Sequence, residues 1–190
     1  LLDLLCNPVH PIGVLGLIDY WTLPSQTWKR GGRIDDAYLE AMTAAADLLA
    51  RYYGDRVGHW EIWNEPDFRL TYLAAGDYAR LLTALSASIK QADPRAQIVF
   101  GGLGGADWVA AGYFRQVVQQ LPTDPVPYDI FAIHPYPSHE FRRDGRLIRD
   151  PSYLRFDSPT VLERFMAIMR AAGQAPRPIW TRCSVPRRLG

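Results

Sequence analysis

The sequence predicts an α/β fold built on a parallel sheet. Five short apolar segments with the character of buried strands alternate with four longer segments whose apolar residues recur at helical spacing. Such alternation is typical of a parallel sheet whose strands are joined by right-handed helical crossovers. The chain has 190 residues, 48% of them hydrophobic, and no repeat, low-complexity segment or linker divides it. We therefore expect one globular unit.

Each element follows from a local pattern in the chain. The five predicted strands are apolar runs at Ile12 to Ile18, Val57 to Trp63, Gln97 to Phe100, Tyr128 to His134 and Pro178 to Thr181. The four predicted helices lie between them, at residues 36–53, 77–92, 109–121 and 159–172. We expect the strands to pair in chain order, with the third in the centre and the first and fifth as edges.

Caps and breakers mark where these elements begin and end. Asp35 and Asp36 can cap the first helix, and Gly54 follows its end. Asp77 is predicted to start the second helix, which Pro94 stops. Residues 138–157 are rich in arginine and are predicted to form a long, solvated loop.

The polar residues that carry chemistry follow the ends of strands. In the stretch His59-Trp60-Glu61-Ile62-Trp63-Asn64-Glu65-Pro66-Asp67, a strand stops at a turn sequence that contains Glu65. The carboxyl ends of parallel strands face the ligand in such folds, so a carboxylate there is placed for chemistry. A solvated loop glutamate is the alternative, but indole and amide neighbours suit sugar rings and hydroxyls and favour a functional Glu65.

Other strand ends repeat this pattern less clearly. Asp19 follows the first strand and is either a turn residue or a substrate contact. The glycine cluster at 101–105 lacks phosphate-binding spacing, and we expect it to allow close backbone approach. Trp108 is either a sugar platform or a packed loop anchor, and His134 is either a structural group or part of a site.

Composition excludes several classes of function. The net charge of +1 gives no reason to expect nucleic acid as a partner, and no apolar run approaches the ~20 residues of a membrane span. Cys6 and Cys183 are too far apart in sequence to indicate a metal site or a disulfide framework. We expect no cofactor and no metal, and the sequence leaves localisation and oligomeric state open.

At Trp60 to Pro66 the sequence resembles the fourth-strand signature of a clan of retaining glycoside hydrolases, which includes family 5 cellulases and family 39 β-xylosidases. The resemblance implies that Glu65 is the general acid/base and that Asn64 binds the 2-hydroxyl of the substrate. The segment Asp129 to Tyr136 resembles the sixth strand of this clan, where His134 and Tyr136 would hydrogen-bond the catalytic carboxylates.

The resemblance implies a partial TIM (β/α)8 barrel, with the five strands corresponding to strands three to seven of eight. Residues 1–190 would then form an incomplete catalytic barrel domain with a carbohydrate substrate. The substrate-binding side chains would be Asn64, His134, Tyr136, Asp19, Trp63, Trp108 and Trp180. The family 39 likeness is suggestive of a β-xylosidase, and mannanase or glucanase activity fits nearly as well.

The sequence departs from the clan at its last strand. The clan's nucleophile is a glutamate after Trp-x-Thr, and here Ile179-Trp180-Thr181 is followed by Arg182. We therefore expect an inactive copy, and hypothesise a truncated or frame-shifted piece of a longer hydrolase. A non-catalytic carbohydrate-binding protein is the alternative. A metal-dependent barrel hydrolase would have only His134 and His139 to rely on.

Overall fold

A five-stranded parallel sheet forms the centre of the protein. The structure is a computed structural model that describes residues 12–15, 33–68, 71–105, 108–134, 140–143, 146–149 and 159–181. In these ranges the sheet strands are β1 (Ile12–Leu15), β2 (His59–Ile62), β3 (Gln97–Leu103), β4 (Ile130–Ile133) and β7 (Ile179–Thr181). They pair in the order β1-β2-β3-β4-β7, all parallel. The predicted α/β class, the strand order and the two edge strands are confirmed.

Strand β3 is longer than predicted. It continues through the glycines to Leu103 instead of ending at Phe100. Its register with β4 shifts between these two residues, because three steps along β3 match two along β4, from Phe131 to Ile133. This extra residue is a β-bulge, which bends a strand and re-aims its side chains. The bulge lies at the carboxyl end of the sheet.

A β-hairpin lies where the sequence predicted only a loop. Strands β5 (Glu140–Arg143) and β6 (Arg146–Arg149) pair antiparallel, so the prediction of a loop over residues 138–157 is wrong for these segments. The two intervening residues in the sequence are Asp144 and Gly145. An Asp-Gly pair between two short extended segments favours a tight hairpin turn, and this signal outweighs the charge of the arginines.

Four α-helices occur in the described ranges: α1 (Asp36–Tyr53), α2 (Ala75–Ala92), α3 (Trp108–Val118) and α4 (Pro159–Ala171). The Asp35 side chain accepts a hydrogen bond from the Tyr38 N–H, and Gly54 closes the helix with φ +47°, as predicted. No helix in these ranges is both long and apolar enough to cross a bilayer.

Helix α2 begins two residues earlier than predicted. Ala74 is its N-cap, and Asp77 lies in the first turn. Asp77 is buried and pairs with Arg33, 2.7 Å from its carboxylate, and with Arg80, 3.2 Å away. A buried carboxylate requires such partners. Asp77 therefore joins α2 to Arg33, which precedes α1, instead of capping the helix.

The two faces of the sheet are covered differently. Phe100 and Phe131 point towards the helices, where they pack in an aromatic cluster with Phe114 of α3 and Phe165 of α4. The opposite face carries a smaller cluster of Val99, Ile130 and Ala132, against which Trp180 packs.

The sheet is curved, with the helices on its convex side. The rings of His59 on β2 and Trp180 on β7 have centroids 4.9 Å apart. These strands are three pairings apart, or ~14 Å along the sheet at the usual strand spacing. A flat sheet would hold the two rings too far apart to touch. Side chains on the concave face therefore converge, and this curvature brings distant strand ends together.

We predict that Gly101→Ala lowers the free energy of unfolding by about 2 kcal/mol or more. A Cβ at this position would lie 2.4 Å from the carbonyl oxygen of Ile62 and 2.8 Å from that of Trp63, and backbone atoms cannot move aside cheaply. Urea unfolding of both variants and the parent chain measures the effect.

The matched control is Gly112→Ala in helix α3, where a Cβ would meet no atom within 4 Å. Because alanine favours a helix interior over glycine, this change should leave stability unchanged or raise it by up to about 1 kcal/mol. Equal destabilisation by both substitutions would contradict the close approach of β3 to the end of β2.

Candidate functional site

The site is built on the turn that follows β2. Trp63 and Glu65 both have left-handed backbone conformations, with φ of 71° and 48°. Residues other than glycine adopt this region at a cost of about 1–2 kcal/mol each, so the surrounding structure must hold them there. Strain of this kind concentrates at functional sites, and it singles out this turn, which contains Glu65, on grounds independent of any motif.

A set of hydrogen bonds holds the strained turn. The Glu65 N–H donates to the Gly102 carbonyl over 3.0 Å, and the Glu65 carbonyl accepts from the Phe68 N–H and the Thr71 hydroxyl, at 2.9 and 2.7 Å. The Gly104 N–H donates to the Asp67 carboxylate at 2.8 Å. These hydrogen bonds therefore join the turn to the end of β3 at two positions, Gly102 and Gly104.

Tyr78 of helix α2 supports the same region from the helical side of the sheet. Its hydroxyl donates to the Ile62 carbonyl at 3.0 Å and accepts from the Gly101 N–H at 2.7 Å. It therefore supplies a hydrogen-bond partner to a backbone group of β2 and to one of β3. Burial raises the pKa of Tyr78 well above its ordinary value, and the phenol stays neutral and able to donate.

Glu65 contacts His134, the first residue after β4. His134 Nδ1 lies 3.1 Å from Glu65 Oε1, and the exposed fractions of the two side chains are 2% and 14%. On its other side, His134 Nε2 lies 3.6 Å from Oε1 of Glu61, which is also buried. Because 3.6 Å is slightly long for a hydrogen bond, the interaction between His134 and Glu61 is chiefly electrostatic. Glu61, His134 and Glu65 are hereafter the carboxylate–histidine cluster.

The geometry of the carboxylate–histidine cluster indicates a doubly protonated His134. Each ring nitrogen faces a carboxylate oxygen, and a neutral imidazole would have to direct a lone pair at one of them. Burial lowers the pKa of His134, but the nearby carboxylates of Glu61 and Glu65 raise it by more, to about 9. At neutral pH the group is an imidazolium between two acids.

Glycine at position 102 makes room for this imidazolium. A Cβ there would lie 2.1 Å from His134 Nε2, so any other residue would displace the ring. The Gly102 N–H donates to Glu61 Oε1 at 2.7 Å, and its carbonyl accepts from Glu65. The expectation that the glycine cluster allows close approach is confirmed here.

Glu61 is the member of the carboxylate–histidine cluster that the sequence analysis did not identify. It is the one carboxylate inside β2, and a charged residue in the middle of an apolar strand is the signal that the sequence offers. A charge in such a position needs a partner on the same face of the sheet, and His134 is that partner. Asn64, half-buried between Trp63 and Glu65, lies in the turn as expected.

Two of the predicted tryptophans, Trp63 and Trp180, pack against other side chains. Trp63 is only 3% exposed, belongs to the main core, and donates from its indole N–H to the Thr71 carbonyl at 2.7 Å. Trp180 is partly buried on the concave face against His59. The burial of Trp63 is typical of a packing residue, and binding of sugar by Trp63 and Trp180 stays a prediction.

Trp108 is exposed but has another partner. It begins helix α3 with 73% of its surface accessible, and the Arg164 guanidinium of α4 lies 3.8 Å from its ring centroid. This cation–π contact gives the Trp108 ring a partner on the neighbouring helix and explains its position without a bound sugar. Binding of sugar by Trp108 stays a prediction.

Two of the predicted substrate-binding residues, Asp19 and Tyr136, lie outside the described residues, as does Arg182. We expect Asp19 and Tyr136 to converge on Glu65, which stays a prediction, whereas Glu65 and His134 do meet at the carboxyl end of the sheet. In the described part of the chain, no group of three or more His, Cys, Asp or Glu side chains is arranged to hold a metal ion.

Similarity to known proteins is found in the fold and not in the sequence. No family model and no curated protein sequence matches the chain. A GH39 enzyme from Xanthomonas axonopodis pv. citri matches with a TM-score of 0.55 and 21% identity, over 75% of this chain and 29% of that one. A monomeric β-xylosidase from Caulobacter crescentus CB15 matches with a TM-score of 0.55 and 18% identity, over 75% and 30%.

A glucosidase from Croceicoccus marinus gives a similar result, with a TM-score of 0.54 and 20% identity over 80% of this chain and 32% of that one. At such identities the likeness shows a shared fold. The chain thus has the fold of part of a GH39-like domain, and it spans about 30% of the length of the first two matching structures.

We predict that the stability of the protein falls as pH rises from 6.5 through 9. His134 titrates near 6.5 when unfolded and about 9 when folded, so its stabilisation is complete below pH 6.5 and is lost above the folded pKa. The loss should reach about 3 kcal/mol, measured by urea unfolding between pH 6 and 10.

The control for this pH dependence is His59→Gln. His59 contacts Trp180, so its replacement should leave the dependence in place. A free energy of unfolding that stays flat between pH 6.5 and 9.5 in the parent chain would argue against a buried imidazolium.

Proposed function

We propose that the chain is part of the catalytic (β/α)8 barrel of a retaining β-glycosidase, with its five sheet strands corresponding to strands three to seven. The observation that carries the proposal is Glu65, held in a strained turn at the carboxyl end of a parallel strand with its carboxylate against a buried imidazolium. The shared fold with a β-xylosidase and a glucosidase supports the same reaction class.

Glu65 would serve as the general acid/base. Its Oε1 accepts from His134, so Oε2 is the oxygen left to carry a proton to the leaving group. With both acids ionised, the carboxylate–histidine cluster has a net charge of −1. One proton on Glu65 neutralises the cluster, and loss of that proton to the glycosidic oxygen restores the charge. His134 would act by orienting Glu65, since it is too buried to face substrate.

The substrate would be a β-linked carbohydrate. Asn64, adjacent to Glu65, would hydrogen-bond the 2-hydroxyl of the sugar, and Tyr136 and Asp19 would contribute further polar contacts. A β-xyloside is the favoured substrate, with glucosides and mannosides as alternatives. No nucleic acid, membrane, cofactor or metal enters the proposal.

The second carboxyl group of a retaining mechanism would follow the last strand. Retention needs a nucleophile about 5 Å from the acid/base. Thr181 pairs with Ile133, the residue before His134, so β7 ends level with the carboxylate–histidine cluster. The next residue in sequence is Arg182, which cannot attack an anomeric carbon. The chain would therefore keep the acid/base half of the machinery without the nucleophile.

We predict that this 190-residue chain hydrolyses neither aryl β-xylosides nor aryl β-glucosides at a rate above the uncatalysed one. Arg182→Glu, in the protein completed to eight strands, should restore turnover because it supplies the carboxylate that forms the glycosyl-enzyme. Release of the aryl alcohol, followed by absorbance, measures both.

Glu65→Gln in the Arg182→Glu protein is the decisive control, because an amide cannot exchange a proton with the leaving group. It should lower kcat/KM by a factor of about 10² or more. Hydrolysis by the unaltered chain, lost on Glu65→Gln, would contradict the absence of a nucleophile.

A non-catalytic carbohydrate-binding protein is the second candidate, and the arginine at position 182 is what favours it. Calorimetric titration of the unaltered chain with xylo-, gluco- and manno-oligosaccharides separates the two. Saturable binding without hydrolysis would support the binding protein, whereas absence of binding would support an enzyme domain that has lost its nucleophile and with it an intact site.

A further inference from the structure

Glu61 is a charged residue at a position that packing alone would fill with an apolar one. The neighbouring residues on the concave face are the apolar Val99, Ile130 and Ala132. Glu61 is 6% exposed, and burying a carboxylate costs several kcal/mol unless it is paired. Its charge therefore calls for an explanation other than filling space.

Both contacts of Glu61 Oε1 lead towards Glu65. The Gly102 N–H donates to this oxygen at 2.7 Å, and the carbonyl of the same residue accepts from the Glu65 N–H at 3.0 Å. His134 Nε2 lies 3.6 Å from the same oxygen, while Nδ1 of that ring contacts the Glu65 carboxylate. One carboxylate thus supports both the backbone and the side-chain partner of the proposed acid/base.

We propose that Glu61 is a positioning residue that keeps His134 doubly protonated and directed at Glu65 Oε1. The inference rests on the function proposed for Glu65 and adds a residue that acts through His134 instead of touching substrate. Among the described residues, the charged side chains that pair with His134 are Glu61 on β2 and Glu65 after it. Strand β3 contributes the Gly102 backbone beside the ring and the Leu103 carbonyl, which accepts from the His134 N–H.

The orientation of the His134 ring depends on this arrangement. With Glu61 ionised, Nε2 must carry a proton, and Nδ1 then holds the second proton towards Glu65. Without the Glu61 charge, a neutral ring with its only proton on Nδ1 satisfies Glu65 equally well. Glu61 therefore sets the charge of the ring next to the acid/base, and this charge can be measured without any turnover.

The test is a ¹H–¹⁵N NMR titration of the histidine side chains, which reports the protonation of each ring nitrogen, with His134→Gln used to assign the resonance. In the parent chain His134 should stay doubly protonated to about pH 9. In Glu61→Gln its pKa should fall by at least about one unit, because a charge partner within 4 Å is removed. The neutral form should keep its proton on Nδ1.

Glu40→Gln is the matched control, since Glu40 is exposed on helix α1 and its loss should leave the His134 titration unchanged. If Glu61→Gln does not fold, Glu61→Asp keeps the charge but retracts it by one methylene, and it should shift the titration downward by a smaller amount. A His134 titration identical to that of the parent in whichever variant folds would overturn the role of Glu61.

This result is separable from the proposed function. An unchanged His134 titration removes Glu61 as a positioning residue and leaves Glu65 as the acid/base. Failure of the Arg182→Glu protein to hydrolyse glycosides would contradict the acid/base assignment and leave the titration result standing.

Discussion

The buried imidazolium of His134 between Glu61 and Glu65 is the interaction on which the rest of the site depends. It joins the end of β4 to the interior of β2 and to the turn after β2, across the intervening strand β3. The ring fits because Gly102 has no side chain and because a bulge in β3 brings its backbone to the Glu61 carboxylate and to the Glu65 N–H. The curvature of the sheet, the bulge in β3 and the glycine at position 102 together allow the carboxylate–histidine cluster to form.

The remainder of the structure stabilises a turn that is unfavourable by itself. Trp63 and Glu65 stay in left-handed conformations because the indole of Trp63 is buried and bonded to Thr71, while Tyr78 braces the adjoining strand ends. The core between the sheet and the helices supplies the stability against which this strain is small. Trp63, which the sequence predicts to bind substrate, is thus part of the support for Glu65.

The sequence predicted the fold because its signals are local and mutually consistent. Apolar runs of strand length, the cap at Asp35 and the glycine after α1 fix elements whose alternation leaves few topologies open. Glu65 and His134 could be identified because both follow strands. Glu61 is visible in the sequence as a charge within an apolar strand, but its partner could not be predicted, because His134 is 73 residues away and the register that unites them depends on a bulge.

For the tryptophans, the sequence indicates a possible role but does not reveal the direction in which each side chain points. The sequence predicts that Trp63, Trp108 and Trp180 bind sugar because indole rings suit sugar faces, yet the face on which a ring lies is set by register and curvature, which the sequence does not state. Trp180 lies against His59 across the concave face, and Trp108 lies under Arg164. The hairpin at β5 and β6 had a readable signal in Asp144-Gly145, masked by the charge around it.

The central claim is that Glu65 is the proton donor of a glycosidase site, and affinity labelling tests it most directly without requiring turnover. An N-bromoacetyl β-xylosylamine places an electrophilic carbon where the leaving-group oxygen would lie, and a carboxylate there displaces bromide to form an ester. Mass spectrometry of the labelled protein, completed to eight strands, should find one adduct, on Glu65, that excess xylo-oligosaccharide suppresses and Glu65→Gln abolishes. Labelling that is equal in Glu65→Gln, or directed to other carboxylates, would contradict the account.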